Sequence, residues 1–194
     1  LRRTRSRSEL EQVVRTAKEE SDRLSQLAED LLVVARSGHG ALPVHPEPTP
    51  VQPLLERVAV RYEARAREHG RRVVTRAPAG LEALLDPVRV EQAIANLVDN
   101  ALRHGDGTIE LSAKADNGSV ELHVTDTGHG FPPTFLPHAF ERFSRADHAR
   151  QSGGTGLGLA IVEAIAHAHG GRSGAANRDQ GGSDVWLTLP SPAA

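Results

Sequence analysis

The chain has 194 residues, no cysteine, and 23 basic against 25 acidic side chains, for a formal net charge of −2. Its length predicts one domain with an appendage, or two small domains. The lack of cysteine excludes disulfides and thiolate metal sites, and the balanced charge gives no support for nucleic acid as a partner. No apolar run reaches the roughly 20 residues of a membrane-spanning helix. Because the chain opens on Leu1 and has no methionine, we expect a fragment of a longer protein, from which a membrane anchor would be missing.

The N-terminal part predicts one long helix over residues 1–36. Its apolar residues form a heptad seam, interrupted by Glu20, that consists of Leu10, Val13, Ala17, Leu24, Leu27, Leu31 and Val34. A lone helix cannot bury such a stripe, so we expect it to pack on a partner helix or on its own domain. The proline- and glycine-rich stretch Ser37–Pro53 predicts a break, with a short edge strand at Ala41–His45 as its one regular segment. We therefore divide the chain near residue 40, into residues 1–40 and a globular domain over residues 44–194.

Helical and extended patterns alternate beyond the break. Helices are predicted over Val51–His69, from Asp86-Pro87 to His104, and over Gly156–His169. Strands are predicted over Arg71–Arg76, Thr108–Ala115, Ser119–Thr125 and Asp184–Leu189. Asn117-Gly118 is a strong hairpin signal between the second and third of these strands. Together the elements predict a two-layer α/β sandwich of a sheet and three helices, preceded by the long helix.

The predicted helix that ends at His104 carries two asparagines, Asn96 and Asn100, one turn apart on roughly the face opposite its apolar residues. Asparagine is a poor helix former, so a pair inside a helix needs a reason. One reading is a solvated polar face. The other is a hard-cation site, in which a carboxamide oxygen binds Mg²⁺ and waters and phosphates complete the shell. Arg103 and His104 would then lie near the phosphates.

The segment Asp126-Thr127-Gly128-His129-Gly130-Phe131 closes the strand Ser119–Thr125. Asp126 is in phase with the apolar residues of that strand, so its carboxylate would face the apolar layer and need hydrogen-bond donors. The exocyclic amine of adenine is such a donor. An ordinary turn at a strand end is the alternative reading.

The densest glycine cluster is Gly153-Gly154-Thr155-Gly156-Leu157-Gly158, directly before an apolar helical pattern. Glycines let the backbone approach a ligand closely, and a helix N-terminus adds free N–H groups, so a phosphate chain is the expected guest. A polar segment follows Phe140-Glu141-Arg142-Phe143 and resembles a mobile lid, from which Arg142 or Arg145 can reach a phosphate. A flexible linker is the alternative.

In order and spacing, these motifs resemble the four boxes of the catalytic, ATP-binding domain of bacterial sensor histidine kinases. Residues 96–104 resemble the N box, residues 126–130 the G1 box, Phe140–Phe143 the F box and residues 154–158 the G2 box. The resemblance covers about residues 44–190 and implies a mixed sheet with helices, the Bergerat ATP-binding fold. The segment Leu31–Arg36 is similar to the end of the second helix of the dimerisation hairpin.

The resemblance also implies residue roles. Asp126 would bind the adenine amine, Asn100 would hold Mg²⁺, and Asn96 and Arg103 would contact the phosphates. Arg142 would assist transfer, and His104 replaces a common tyrosine. The remaining nucleotide-binding positions would be Gly128, Gly130, Gly154, Thr155, Gly156, Leu157 and Gly158.

None of the ten histidines resembles the family's phosphate acceptor, which is followed by an acidic residue. We therefore expect a soluble, cytoplasmic fragment that binds ATP but does not phosphorylate itself. Its partners would be the acceptor histidine of a missing hairpin helix, a response regulator receiver domain and a second copy of a membrane-anchored parent protein. The rivals are an ATPase of the gyrase, Hsp90 and MutL type and a non-catalytic nucleotide-binding module. The ATPases carry glutamate where this chain has Asn96, and so do the anti-sigma-factor serine kinases.

Overall fold

The computed structural model describes residues 7–37, 42–116, 118–145 and 155–190. Four helices run over Arg7–Ser37 (α1), Val51–Glu68 (α2), Pro87–His104 (α3) and Gly158–Ala168 (α4). Seven strands run over Glu47–Pro50 (β1), Val73–Arg76 (β2), Glu82–Leu85 (β3), Ile109–Asp116 (β4), Ser119–Thr125 (β5), Arg172–Asn177 (β6) and Ser183–Pro190 (β7). In this part of the chain, no helix is apolar over a stretch long enough to cross a bilayer.

The main sheet has five strands in the order β2-β4-β5-β7-β6. β2 pairs with β4 in parallel and all other neighbours are antiparallel. A separate two-stranded sheet pairs β1 with β3. The prediction of a mixed α/β sandwich is therefore confirmed.

One face of the sheet and the inner sides of α2, α3 and α4 form the core. The alternation in β5 is as predicted, because Val120, Leu122 and Val124 are all buried. In α3, Val90, Ile94, Leu97 and Ala101 are buried as expected for one helical face. The exclusion of this apolar surface from water is the main stabilising force of the domain.

The start of α3 is where the sequence predicts it. Asp86 caps the helix by accepting a hydrogen bond from the Arg89 N–H at 3.0 Å, and Pro87 follows in the first turn. The short edge strand predicted at Ala41–His45 is wrong in its placement. The strand there is Glu47–Pro50, which pairs with β3 although it contains two prolines. An edge strand tolerates proline because its outward side makes no ladder hydrogen bonds. Pro53 lies in the first turn of α2, not in the break.

Two strands, β3 and β6, have no counterpart among the predicted elements. The sequence of β6, Arg-Ser-Gly-Ala-Ala-Asn, contains no β-branched residue and so lacks the usual strand signal. It becomes a strand because it pairs with β7, where Gly174 lies against Trp186 so closely that a Cβ would overlap the indole ring.

The last turns of α1 pack on the core. Val33 and Val34 are buried and Leu27 is partly buried, whereas Val13 and Leu24 of the same helix are exposed. The predicted seam is therefore split, because its C-terminal end contacts this domain and its middle remains open.

Candidate functional site

A cleft opens between the C-terminal half of α3 and the end of β5. It encloses about 220 Å³, part of it open to solvent. The residues that line it are Asn100, His104, Gly105, Asp126, Gly130, Phe131 and Ser183. Two of the predicted motifs, one on a helix and one at a strand end, therefore face the same space. The structure thus brings together four of the predicted site residues: Asn100, His104, Asp126 and Gly130.

Asp126 forms the inner wall of the cleft. It is 2% exposed, in phase with the buried residues of β5. Its Oδ1 accepts a hydrogen bond from the Gly128 N–H at 2.7 Å, and its Oδ2 accepts a short one from the Ser183 hydroxyl. An ionised carboxylate offers about four lone-pair positions. Two remain for a donor that enters the cleft.

The turn between β6 and β7 holds the loop that follows Asp126. Ser183 O accepts from the Asp126 N–H at 3.1 Å, and Arg178 donates to the Asp126 carbonyl at 2.9 Å. The Asn177 amide makes two bonds to the Phe131 backbone, at 2.6 and 2.8 Å. These contacts fix the rim of the cleft from outside.

Sequence reasoning missed four residues of this site, which are Gly105, Asn177, Arg178 and Ser183, and it assigned no role to Phe131 although that residue ends the predicted motif. The strand register, which pairs Thr125 with Asp184, is what places Ser183 beside Asp126. Local sequence carries no sign of that pairing.

The two asparagines of α3 face different surroundings, since Asn100 faces the cleft and Asn96 faces the start of α4. Asn100 lines the cleft and is partly buried. One turn earlier, the Asn96 Nδ2 donates to the Gln92 carbonyl at 3.1 Å, and its Oδ1 lies 3.4 Å from the place where a Cβ at Gly158 would be. The polar side of α3 therefore meets the first turn of α4.

The N-terminus of α4 has backbone donors that are not capped by the side chain of the cap residue. Leu157 occupies the cap position, makes no side-chain cap and is buried. One of the donors, the Leu157 N–H, is bound by the Thr155 hydroxyl at 3.3 Å. An uncapped helix N-terminus attracts anions through its N–H groups and its dipole.

The phenylalanine motif and the glycine motif touch. The Gly156 carbonyl accepts from the Phe143 N–H at 2.9 Å, and Gly156 adopts φ 71°, a conformation that suits glycine. Phe143 has φ 62° and is 64% exposed. Arg142 is exposed in the same turn and is not among the described residues that line the cleft. Gly154 lies outside the described residues.

Basic groups gather at the rim. Arg103 and His104 lie in the last turn of α3, and part of each side chain is exposed. Partial burial lowers the pKa of His104, and the positive charges of Arg103 and Arg145 lower it further. Arg103 and Arg145 therefore give the outer end of the cleft a positive potential, and the His104 ring adds to it only when it is protonated.

The described residues contain no group of three His, Asp or Glu side chains able to hold a metal ion. A metal here would take Asn100 as a protein ligand and complete its shell with ligand phosphates and water. That incomplete, all-oxygen arrangement is typical of Mg²⁺.

Known proteins resemble this chain over most of its length. The family described as "Histidine kinase-, DNA gyrase B-, and HSP90-like ATPase" matches residues 85–193. A probable sensor histidine kinase of Mycobacterium tuberculosis strain CDC 1551 / Oshkosh is 42% identical over 99% of this chain and 50% of its own length. The sensor histidine kinase component HK1 of strain H37Rv is 43% identical over 74% of this chain and 83% of its own length.

Among solved structures, full-length ShkA in complex with AMPPNP superposes with a TM-score of 0.82 at 32% identity, over 98% of this chain and 41% of that one. The chain spans about half the length of the first relative. The family model matches more than half of the chain, over residues 85–193, and two relatives are more than 40% identical to it. These matches establish the family of the chain. It belongs to the histidine kinase-, DNA gyrase B- and HSP90-like ATPases, as the ATP-binding catalytic domain of a sensor histidine kinase.

Proposed function

We propose that the chain binds Mg–ATP in this cleft and directs the γ-phosphoryl group to a histidine imidazole supplied by another segment. The adenine would lie at Asp126 and the phosphates between α3 and α4. The observation that carries the proposal is that Asn100 and Asp126, 26 positions apart in sequence, line one cleft.

At the base end, Asp126 is suited to adenine because an ionised carboxylate only accepts hydrogen bonds. Gly128 and Ser183 occupy two of its acceptor positions and hold it in place. The 6-amino group of adenine fits a remaining acceptor, whereas the 6-oxo group of guanine meets it with an acceptor of its own. Phe131 and Gly130 form the neighbouring wall of the base pocket.

At the phosphate end, the residues present fit a Mg–triphosphate. Asn100 would hold the Mg²⁺, which neutralises charge on the phosphate oxygens. Asn96 and the backbone N–H groups of Leu157 and Gly158 would contact those oxygens, and the Leu157 N–H would exchange its bond to the Thr155 hydroxyl for one to a phosphate oxygen. Arg103 and Arg145 would add positive potential at the open end, and His104 would line the cleft beside them. Thr155 and Gly156 would shape the turn, with Gly128 shaping the base loop, and we assign the same nucleotide-binding role to Gly154.

Transfer to an imidazole breaks the bond between the β–γ bridging oxygen and the γ-phosphorus while a nitrogen–phosphorus bond forms, and ADP leaves. Catalysis of this kind is mainly positioning and charge stabilisation. We assign Asn96, Arg103 and Arg142 to it, and Arg142 would act from the turn that touches Gly156.

The residues of α3 favour transfer over hydrolysis. The amide of Asn96 cannot take a proton from water. Asp99 is held by Tyr62 and Arg65 of α2, away from the cleft. Among the described residues that line the cleft, Asp126 is the only carboxylate, and it belongs to the base end.

We assign residues 1–40 to the second helix of a dimerisation hairpin and residues 44–194 to the catalytic domain. The exposed apolar residues Val13, Leu24 and Leu31 of α1 would pair with helices of the hairpin and of a second copy. In the parent protein, the partners would be the acceptor histidine and a response regulator receiver domain. We place this domain in the cytoplasm and a membrane anchor upstream.

The test joins the hairpin segment of the 42% identical M. tuberculosis relative to residues 7–194 and supplies ATP labelled at the γ-phosphate. We expect label on the hairpin histidine, as a phosphoramidate that acid hydrolyses and base does not. The matched control changes only that histidine to glutamine and should take up no label.

Two results would contradict the proposal. ATP binding without label on the histidine supports the non-catalytic module. Steady release of phosphate that is lost in an Asn96→Ala variant supports the ATPase.

A further inference from the structure

Arg71, between α2 and β2, is almost wholly buried, at 6% exposure. Its guanidinium donates four hydrogen bonds, and each of them goes to a backbone carbonyl. The Nε donates to Gly107 at 2.7 Å, Nη1 donates to Ala101 at 2.7 Å and to Gly105 at 3.2 Å, and Nη2 donates to Asp106 at 2.9 Å. A single side chain therefore holds the end of α3 and the three residues that follow it.

That loop, residues 105–107, forms the floor behind Asp126. A Cβ at Gly105 would come within 2.7 Å of the Asp126 Oδ1. The Asp106 carbonyl accepts from the Thr127 N–H at 3.0 Å, and a Cβ at Gly128 would come within 2.6 Å of the Asp106 N. The loop and the carboxylate are thus packed with no room for movement between them.

Arg71 also contributes charge. Burial lowers its pKa, while the negative charges of Asp126 and Asp106 raise it. Arginine remains charged in proteins, so a fixed cation lies near enough to Asp126 to interact with its charge, and it is not among the described residues that line the cleft. Four carbonyl acceptors satisfy the guanidinium fully enough for it to be buried.

We propose that Arg71 is a positioning residue of the nucleotide site, which holds the 105–107 loop and Asp126 in the arrangement that selects adenine. It does not touch the nucleotide. The inference rests on the proposed function, since it assigns Asp126 to adenine. The four directed bonds of the guanidinium also distinguish it from a residue that only fills space.

A purely structural role predicts something different. An arginine that only caps α3 would lower stability when removed, but would leave the affinity of the folded molecules unchanged. A positioning role predicts weaker binding at the base end, with the phosphate end spared. The ratio of ATP to GTP affinity separates the two, because both nucleotides have the same triphosphate.

The experiment titrates the full chain with Mg–ATP and Mg–GTP by calorimetry, for wild type, Arg71→Ala and Arg71→Lys. The matched control is Arg72→Ala, which removes the exposed neighbouring arginine. We expect Arg71→Ala to weaken the binding of ATP at least tenfold and to lower the ratio of ATP affinity to GTP affinity, while the stoichiometry remains one site per chain. The ATP affinity of Arg71→Lys should lie between those of wild type and Arg71→Ala, because an ammonium group cannot reach all four carbonyls. Arg72→Ala should bind like wild type.

Chemical rescue of ATP binding by a small cation is a second measurement, and a change in stability alone would not affect it. About 10 mM guanidinium chloride should restore part of the ATP affinity of Arg71→Ala, and methylammonium chloride at equal strength should not.

An unchanged ATP affinity and ATP-to-GTP ratio in a folded Arg71 variant would overturn the inference. If Arg71→Ala does not fold, Arg71→Lys alone decides, and wild-type binding by that variant overturns the inference. Failure of the wild type to bind ATP would instead refute the proposed function, and this inference with it.

Discussion

The substitution Asp126→Asn tests the base end of the site with the smallest change of shape. It replaces one carboxylate oxygen by an NH₂ group and removes one negative charge. The Gly128 N–H needs an acceptor at the Oδ1 position, so the amide oxygen must stay there. The NH₂ group then takes the Oδ2 position, where the Ser183 hydroxyl can turn and accept from it. We therefore expect the fold to survive.

The expected loss of affinity follows from that orientation. In wild type, a free lone pair of the carboxylate would accept from the adenine amine, and a hydrogen bond to a charged group is worth about 1.5–3 kcal/mol. In Asp126→Asn, the second amide hydrogen points toward the same amine, so donor meets donor. A loss of about 2–3 kcal/mol corresponds to a Kd for ATP that is roughly 30- to 150-fold higher.

Calorimetric titration with Mg–ATP measures this change, and a thermal melt shows that the variant is folded. The control is Asp106→Asn, which makes the same change of charge on an exposed residue of the adjoining loop. The Asp106 carboxylate accepts a hydrogen bond from the Gly107 N–H through Oδ1, and an asparagine oxygen can replace that bond. Wild-type affinity in folded Asp126→Asn would refute the assignment of Asp126 to adenine.

Three further predictions concern the metal, a helix cap and the rim. Asn100→Ala should remove the gain in ATP affinity that Mg²⁺ provides, measured as the ratio of Kd values with Mg²⁺ and with EDTA; an unchanged ratio places the metal elsewhere. Asp86→Ala should lower the free energy of unfolding by about 1 kcal/mol at pH 7, through loss of the cap. Burial raises the pKa of Asp86, but backbone N–H groups, chiefly that of His45 and then that of Arg89, together lower it below the ordinary 3.8. The charge-dependent part of its stabilisation is therefore complete above about pH 4 and lost as the pH falls through the lowered value, and denaturant titrations of both proteins across that range should show the difference shrink. Arg103→Met should raise the pKa of His104 toward its ordinary value, because one of the two positive neighbours is removed; an NMR titration of the His104 ring that shows no rise would contradict this.

The fold prediction succeeded for those elements whose sequence signals lie within the element itself. α3 and β5 follow local rules: a capping aspartate and a first-turn proline begin the helix, and strict alternation marks the strand. The signal for β6 is not local. Its residues have low strand propensity, and its pairing with β7 and the space for Trp186 over Gly174 make it a strand. The Glu47–Pro50 strand was misplaced for the same reason, since its partner β3 is itself invisible in the sequence.

The candidate site divides in the same way. Asn100, Asp126 and the glycine cluster were identified from the sequence because each is an unusual residue type for its local setting. Ser183 and Arg71 are ordinary residues in their local settings. They gain their roles only through contacts with residues more than 29 positions away. The Ser183 hydroxyl bonds the Asp126 carboxylate, and the Arg71 guanidinium bonds carbonyls of the loop that packs against that carboxylate.

The amino-acid sequence alone therefore determined the four helices, the strands β2, β4, β5 and β7, the family and the chemically distinctive side chains, because capping, periodicity and backbone freedom act over a few residues. Only the tertiary structure decided that Asn100 and Asp126 share a cleft, which residues hold the aspartate in place, and that α1 packs its last turns on the core. Those features depend on strand order and helix packing, where the free energy comes from burying surfaces contributed by distant parts of the chain.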